Sequence, residues 1–369
     1  MLKHSDYMEL ALNMAKATQG QTSPNPAVGA VVVKDGDIVG LGAHLKAGEG
    51  HAEVHAIRAA GEKAEGADIY VTLEPCSHYG KTPPCSQLII SSGIKSVFIA
   101  STDPNPLVSG KGIQQLRDAG IQVHVGECQS EALELNKHFF HFIKHKTPYV
   151  TLKTAITLDG KTAAPSGDSK WITSEESRLD VHYDRHRHDA ILVGVNTIIR
   201  DNPHLTTRLP QGGKNPIRII VDNHLRTPLD ANVVTDNESK TIIVTNESVK
   251  EEDKIPFMEA GCEVISLSLS RIDLHHLLRE LGSRSIQSLY VEGGSAVHGS
   301  FLEERAFQEF IMYMAPKLIG GRDAFTSFGG SGVAAITEGL EMNIVSIESI
   351  GEDIKIVAVP KKHSSKKEG

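Results

Sequence analysis

The segment from Gly50 to Cys85 limits this chain more than any other stretch: it runs His51-Ala52-Glu53, then Glu74-Pro75-Cys76, then Cys85. A catalytic zinc wants three protein ligands and one open position for water, and a histidine with two thiolates is a known set. Zinc-dependent deamination adds a glutamate that is not a ligand; it takes a proton from the attacking water and delivers one to the leaving amine. The ordered set therefore reads as His51, Cys76 and Cys85 on Zn2+, with Glu53 as the catalytic acid and base. On a regular helix, residues two apart point away from each other, so His51 and Glu53 converge only if His51 sits at the irregular first turn. A second helix start at Pro84-Cys85 would favour the thiolate form of Cys85. A closed structural site would need a fourth ligand, for which His55 and His78 are at hand. Eight residues separate the cysteines where the general deaminase pattern has two, and this insertion is placed to cover a substrate.

The pattern around this segment is α/β. Tyr7, Leu10, Ala11, Met14 and Ala17 form a helical stripe, and Ala27–Val33 and Ile38–Leu41 flank a Lys34-Asp35-Gly36 turn as a hairpin. A helix from about His51 to Gly61 follows, and then strand Ile69–Leu73. Next come a helix from about Pro84, strand Ser96–Ala100, helix Ile113–Asp118 and strand Ile121–Val125. Strands alternating with helices predict a three-layer α/β sandwich. Residues 130–146 read as one helix ending before Pro148, which sets a domain boundary: 1–147 and 148–360, with 361–369 a basic, disordered tail. A length of 369 residues suits two cores.

The second half repeats the alternation. Strands are expected at Val150–Ile156, Ala190–Val195, Ile217–Val221, Thr241–Val244, Ser288–Val291 and Phe310–Met314, and helices at Glu175–His186, Leu274–Leu281 and 296–305. No stretch gives a clean GxGxxG; the nearest, Gly40-Leu41-Gly42, has Leu45 where the third glycine belongs. Glu292-Gly293-Gly294 instead follows a strand and opens a helix, a place for pyrophosphate. The net charge of −8 speaks against a nucleic-acid partner and leaves room for a small phosphorylated substrate met by local arginines. Four scattered cysteines, with no apolar stretch of signal or membrane length, predict a reducing, cytoplasmic setting and no membrane partner.

The motifs SPNPAVGAVVV, GAH, HAEVHAI and TLEPCSHYGKTPPC resemble the deaminase half of the bifunctional riboflavin-biosynthesis deaminase–reductases. TLKTAITLDGKTA, SKWITS, DAILVGVNTIIRDNPHLTTR, PIRIIVD, YVEGGS and APKLIGG resemble the reductase half, so the likeness spans nearly the whole chain. It implies a cytidine-deaminase-like sandwich followed by a dihydrofolate-reductase-like α/β domain. It also implies deamination of a diaminopyrimidinone bearing a phosphoribosylamino group, then NADPH-dependent reduction of the ribosyl group to ribityl. By the same resemblance the deaminase substrate contacts fall on Asn25, His44 and Lys81, and the NADPH contacts on Ala155, Trp171, Thr197, Asp201, Gly293 and Gly294. The reductase substrate contacts fall on Ser169, Arg185, Leu205, Arg208 and Glu292, with Arg185 and Arg208 chemically suited to clamp a phosphate. Family members assemble, which implies a homo-oligomer. Hydride transfer relies on the cofactor's chemistry, so no sharp acid–base pair is expected; Lys153 and Asp159 are two candidate proton donors.

Other clusters read as structure. His182, Asp184, His186 and His188 lack the Glu of HExxH and fit a polar helix face; His138, His141 and His145 fit one side of the linker helix. Cys128 and Cys262 read as isolated buried thiols. Two other functions compete: a nucleoside or tRNA deaminase with an unrelated C-terminal domain, and a non-enzymatic module using zinc for structure alone.

Overall fold

A computed structural model describes residues 2–77, 83–104, 109–267 and 273–361. The chain divides into two compact units, Met1–Lys146 and Thr147–Gly369. No helix among the described residues is long and apolar enough to cross a membrane.

The first unit runs α1 (His4–Ala17), β1 (Gly29–Lys34), β2 (Asp37–Ala43), α2 (Ala52–Ala60), β3 (Asp68–Val71), α3 (Cys85–Ser91) and β4 (Ser96–Ile99). It ends with α4 (Lys111–Asp118), β5 (Gln122–Val125), α5 (Gln129–Leu135) and α6 (Lys137–His145). Its sheet has the order β2-β1-β3-β4-β5. Strands β3, β4 and β5 are parallel, and β1 is antiparallel to both of its neighbours. Alternate residues of the buried strands face two separate cores. Ala30 and Val32 pack with Ala56, Ile89 and Leu116 of α2, α3 and α4, while Val31 and Val33 pack with Met8 of α1 and Ala132 of α5. This is the expected three-layer sandwich.

Two local features place the site. The glycines of Gly40-Leu41-Gly42 serve packing: a Cβ at Gly40 would stand 2.1 Å from the Ala56 carbonyl and one at Gly42 2.2 Å from that of Ala52, so they let α2 lie directly on β2. The single helix expected over 130–146 is instead two, broken at Asn136. The amide of that residue accepts from Ala27 N and donates to Ala27 O, both at 2.9 Å, and so anchors the loop carrying Asn25.

The second unit contains β6 (Tyr149–Thr157), β7 (Lys161–Ala163), α7 (Glu175–Arg187), β8 (Ala190–Gly194), α8 (Val195–Asp201), β9 (Ile217–Val221) and α9 (Asn232–Thr235). It continues with β10 (Thr241–Asn246), α10 (Glu251–Glu259), β11 (Glu263–Leu267), α11 (Leu274–Ser283), β12 (Ser288–Val291) and α12 (Ser295–Glu303). The last strands are β13 (Glu309–Ala315), β14 (Phe325–Thr326), β15 (Met342–Ile350) and β16 (Asp353–Pro360). The main sheet has nine strands in the order β11-β10-β9-β8-β12-β6-β13-β16-β15. It is parallel from β11 to β13, and β16 and β15 extend it antiparallel. One face packs on α11 and α12, and the other on α7 to α10.

The local pattern of the sequence did not announce β7, α8, α9, α10, β11, β14, β15 or β16. Helix α10 carries Pro256 in its interior, which masks it from helix rules. Strand β15 is an edge strand whose residues are mostly exposed on both faces, so no alternation of buried and exposed positions marks it.

Candidate active sites

In the first unit, β3 leads into the loop that carries Cys76, and α2 and α3 begin beside it. His51 is the N-cap of α2, with φ −72° and ψ 166°, outside the helix as the spacing to Glu53 required. Its Nδ1 lies 3.6 Å from Cys76 Sγ and 3.3 Å from Cys85 Sγ. Cys85 is the first residue of α3, and its N–H donates to Cys76 Sγ at 3.2 Å. The three ligand atoms lie within 4.8 Å of one another. Two thiols and an imidazole converging this closely, without a disulfide, are the donor set that zinc takes. His55 is not part of the cluster, and His78 falls outside the described residues.

The hydrogen bond from Cys85 pulls the Cys76 thiol down, and the same bond, with burial, pushes Cys85 up. Two adjacent sulfurs repel a second negative charge unless a cation neutralises it; a metal bound between them would hold both as thiolates.

Glu53 is 3% exposed, and burial pushes its carboxyl up to about 6 against the opposing pull of His51. His44 is buried, its ring 5.4 Å from that of His51. His44 Nδ1 lies 3.1 Å from the Gly50 carbonyl, which can only accept, so the proton is on Nδ1 and Nε2 is the acceptor. Burial pushes the His44 pKa down, in keeping with this neutral ring. Asn25 Nδ2 then donates to Nε2 at 3.1 Å, which turns its Oδ1 away from His44. Asn25 and His44 are thus brought together beside the metal cluster, whereas Lys81 lies outside the described residues. Nothing in the local pattern marks Glu74, Ser86 and Gln115, which hold the backbone around Cys76; an acidic residue close to a cysteine ligand is the one available signal.

In the second unit, the polar residues gather at the C-terminal ends of the parallel strands, where open α/β sheets bind ligands. Glu292 follows β12, and the Arg185 guanidinium on α7 grips it with two bonds, Nε to Oε1 at 2.6 Å and Nη2 to Oε2 at 3.1 Å. Arg185 Nη1 donates to the Thr206 carbonyl. Lys153 on β6 places Nζ 3.5 Å from Glu292 Oε2 and 5.8 Å from the Tyr313 ring. The Tyr313 hydroxyl is in turn held 2.6 Å from Asp180 and 3.2 Å from Asp184.

Of the two arginines expected to clamp a phosphate, Arg185 has Nε and Nη2 engaged with Glu292 and Nη1 with the Thr206 carbonyl, and Arg208 is exposed. Leu205 beside it is buried with φ 54°, a strained backbone for a leucine. Ala155 lies on β6 within the same layer as Tyr313. Gly293 and Gly294 form the turn into α12, where a Cβ on Gly293 would press to 2.6 Å from Val297. Trp171 is 62% exposed, with the Arg178 guanidinium over its ring at 4.7 Å. Ser169 precedes it on the loop, and Thr197 and Asp201 lie on α8; none of these three hydrogen-bonds to the Glu292 cluster among the described residues. Of the two candidate proton donors, Asp159 accepts from Thr157 Oγ1 at 2.5 Å and from Gly320 N at 2.7 Å, and these bonds hold its carboxyl down at about 2.

The histidines of α7 do not converge. His182 and His186 accept from the backbone of Arg208 and Lys214, and His188 bonds to Asp184 O and Thr151. A second group, His204, Asp236 and Glu238, is tied up by the fully buried Arg218, whose positive charge opposes a cation there. Cys262 is buried, while Cys128 is only half-buried.

Two family models match the chain: the cytidine and deoxycytidylate deaminase zinc-binding region over residues 1–101, and the RibD C-terminal domain over residues 148–356. The riboflavin biosynthesis protein RibD of Bacillus amyloliquefaciens is 52% identical over 96% of this chain and 96% of its own length. RibD of Escherichia coli strain K12 is 40% identical over 94% of this chain and 97% of its own. Among solved structures, Acinetobacter baumannii RibD superposes with a TM-score of 0.89 at 36% identity, covering 97% of this chain and 99% of that one. A diaminohydroxyphosphoribosylaminopyrimidine deaminase/5-amino-6-(5-phosphoribosylamino)uracil reductase from Thermotoga maritima gives 0.86 at 37% identity, covering 97% and 98%.

Proposed function

This chain belongs to the RibD family of riboflavin-biosynthesis proteins, and we propose that it performs the two reactions by which the Thermotoga relative is described. The first is deamination of diaminohydroxyphosphoribosylaminopyrimidine; the second is reduction of 5-amino-6-(5-phosphoribosylamino)uracil. The observation that carries the first is the His51, Cys76 and Cys85 cluster beside a buried glutamate whose carboxyl burial pushes up to about 6.

In the N-terminal unit, His51 Nδ1, Cys76 Sγ and Cys85 Sγ hold the metal. Bound there, zinc would lower the pKa of a water enough for it to serve as the nucleophile near pH 7. With its carboxyl at about 6, Glu53 can take a proton from a water attacking the ring carbon and give one to the departing amine, so that the water oxygen stays as the ring carbonyl and the amine leaves as ammonia. Asn25 Oδ1, freed by the Nδ2 bond to His44, accepts an N–H of the pyrimidine edge. Lys81 is assigned to the substrate phosphate.

In the C-terminal unit, NADPH supplies the hydride. We place its pyrophosphate at the Gly293-Gly294 turn and start of α12, with Ala155, Trp171, Thr197 and Asp201 as further contacts. Lys153 gives the proton that balances the hydride, held in place by Glu292, which Arg185 fixes from the other side. Arg208 meets the substrate phosphate, with Ser169 and Leu205 lining the same site. The unbridged thiols fit a reducing cytoplasm. The exposed Ile344, Val345 and Ile347 of edge strand β15 fit self-association.

The deciding experiment supplies purified protein with the diaminopyrimidine phosphate, zinc and NADPH, and follows ammonia and NADPH together. Ammonia should appear first and NADPH oxidation should depend on it. Turnover of cytidine in place of this substrate would support the nucleoside deaminase reading instead.

A further inference from the structure

Glu74 stands two residues before Cys76 and takes no part in the steps above, yet it is 4% exposed. Its carboxylate accepts four backbone N–H groups: Oε2 from Asp103 at 3.2 Å and Gly110 at 3.1 Å, Oε1 from Gly112 at 3.1 Å and Ile113 at 3.4 Å. Three of these donors belong to the start of α4, whose N-cap, Gly110, has no side chain to offer. Glu74 therefore caps that helix from another segment, where a negative charge is also favoured by the helix dipole. The contact is close enough that a Cβ on Gly112 would lie 2.1 Å from the Pro75 carbonyl. One turn further along α4, Gln115 Nε2 reaches the Ser77 carbonyl at 3.5 Å, and its Oε1 takes the Ser86 hydroxyl at 2.7 Å. Ser86 Oγ also lies 3.1 Å from the Cys76 carbonyl.

Helix α4 supplies no metal ligand, but it grips the backbone on both sides of one. We propose that Glu74 is a positioning residue for the metal site: by locking Glu74-Pro75 to the start of α4 it holds Cys76 Sγ at its place beside His51 and Cys85. This rests on the zinc reading of the three-ligand cluster. Partners that orient ligands commonly set metal affinity within a factor of about 10–100. A residue that merely capped α4 would change stability and leave the metal site as it is.

Glu74→Gln keeps the shape but turns an NH2 group toward N–H donors. In the full chain, zinc affinity is read by competition with a chromophoric chelator, and the site geometry by the thiolate-to-metal absorption of the cobalt(II) form. The expected result is zinc affinity lower by about 10–100-fold and a shifted cobalt band, with the circular dichroism and the NADPH-dependent reduction unchanged. Gln115→Ala, which leaves Glu74 in place, should weaken zinc binding in the same direction by a smaller factor, and it stands in if Glu74→Gln does not fold. Wild-type zinc affinity with an unshifted cobalt band in the folded variant would overturn the role of Glu74. A wild-type chain that binds no zinc would instead overturn the zinc reading itself, and this inference with it.

Discussion

Arg185 and Glu292, 107 residues apart in sequence, meet as a two-bond ion pair with each side chain only 12% exposed. Burial alone would push the Glu292 carboxyl up; the Arg185 guanidinium, then Lys153, outweigh it and hold it at about 2. A carboxyl depressed on folding contributes stability that is full above its unfolded value near 4.5 and is lost as pH falls through that range toward 2. Urea midpoints of the second unit, measured from about pH 5 to about pH 2.5, should fall more steeply in the wild type than in Glu292→Gln. Equal slopes would count against the pair.

The same pair predicts the effect of removing one partner. Arg185→Ala leaves a buried carboxylate without its main counter-charge, which should lower the stability of the second unit by about 3–5 kcal/mol. Denaturant unfolding followed through NADPH binding measures it. Loss of substrate affinity at unchanged stability would point to Arg185 as a phosphate ligand.

Glu53→Gln should retain zinc while ammonia release falls about 10²–10⁴-fold, the usual contribution of a positioned acid–base group. Metal content and deaminase rate, taken on the same sample, check both halves of the statement. Full turnover with zinc bound would remove Glu53 from the proton path.

Lys153 and Asp159 separate cleanly. Lys153→Met should abolish NADPH oxidation on the deaminated substrate and leave ammonia release intact. Asp159→Asn should keep the pH profile of the reductase, because Asp159 anchors the Ile319-Gly320 backbone. A displaced pH profile in Asp159→Asn would reopen its candidacy.

Arg208→Ala should raise KM for the phosphorylated reductase substrate about 10–100-fold, the worth of one or two charge-assisted bonds. A dephosphorylated analogue should be affected little. Equal effects on both substrates would place the phosphate elsewhere.

The sequence by itself determined the chemistry of the first site and the outline of both units. Metal ligation and proton transfer demand particular residue types in order, and His51 and Glu53, two apart, could converge only at a helix start, which is where His51 lies. Buried strands and amphipathic helices likewise carry their own periodicity, so most elements could be read locally. Tertiary structure alone decided what distant residues do to one another. It paired Arg185 with Glu292, brought Cys76 and Cys85 together on His51, set Glu74 over the start of α4, and added the exposed strand β15 to the sheet edge. Each of these depends on which groups are desolvated together. Burial and partner geometry are properties of the packed chain, and no local pattern encodes them.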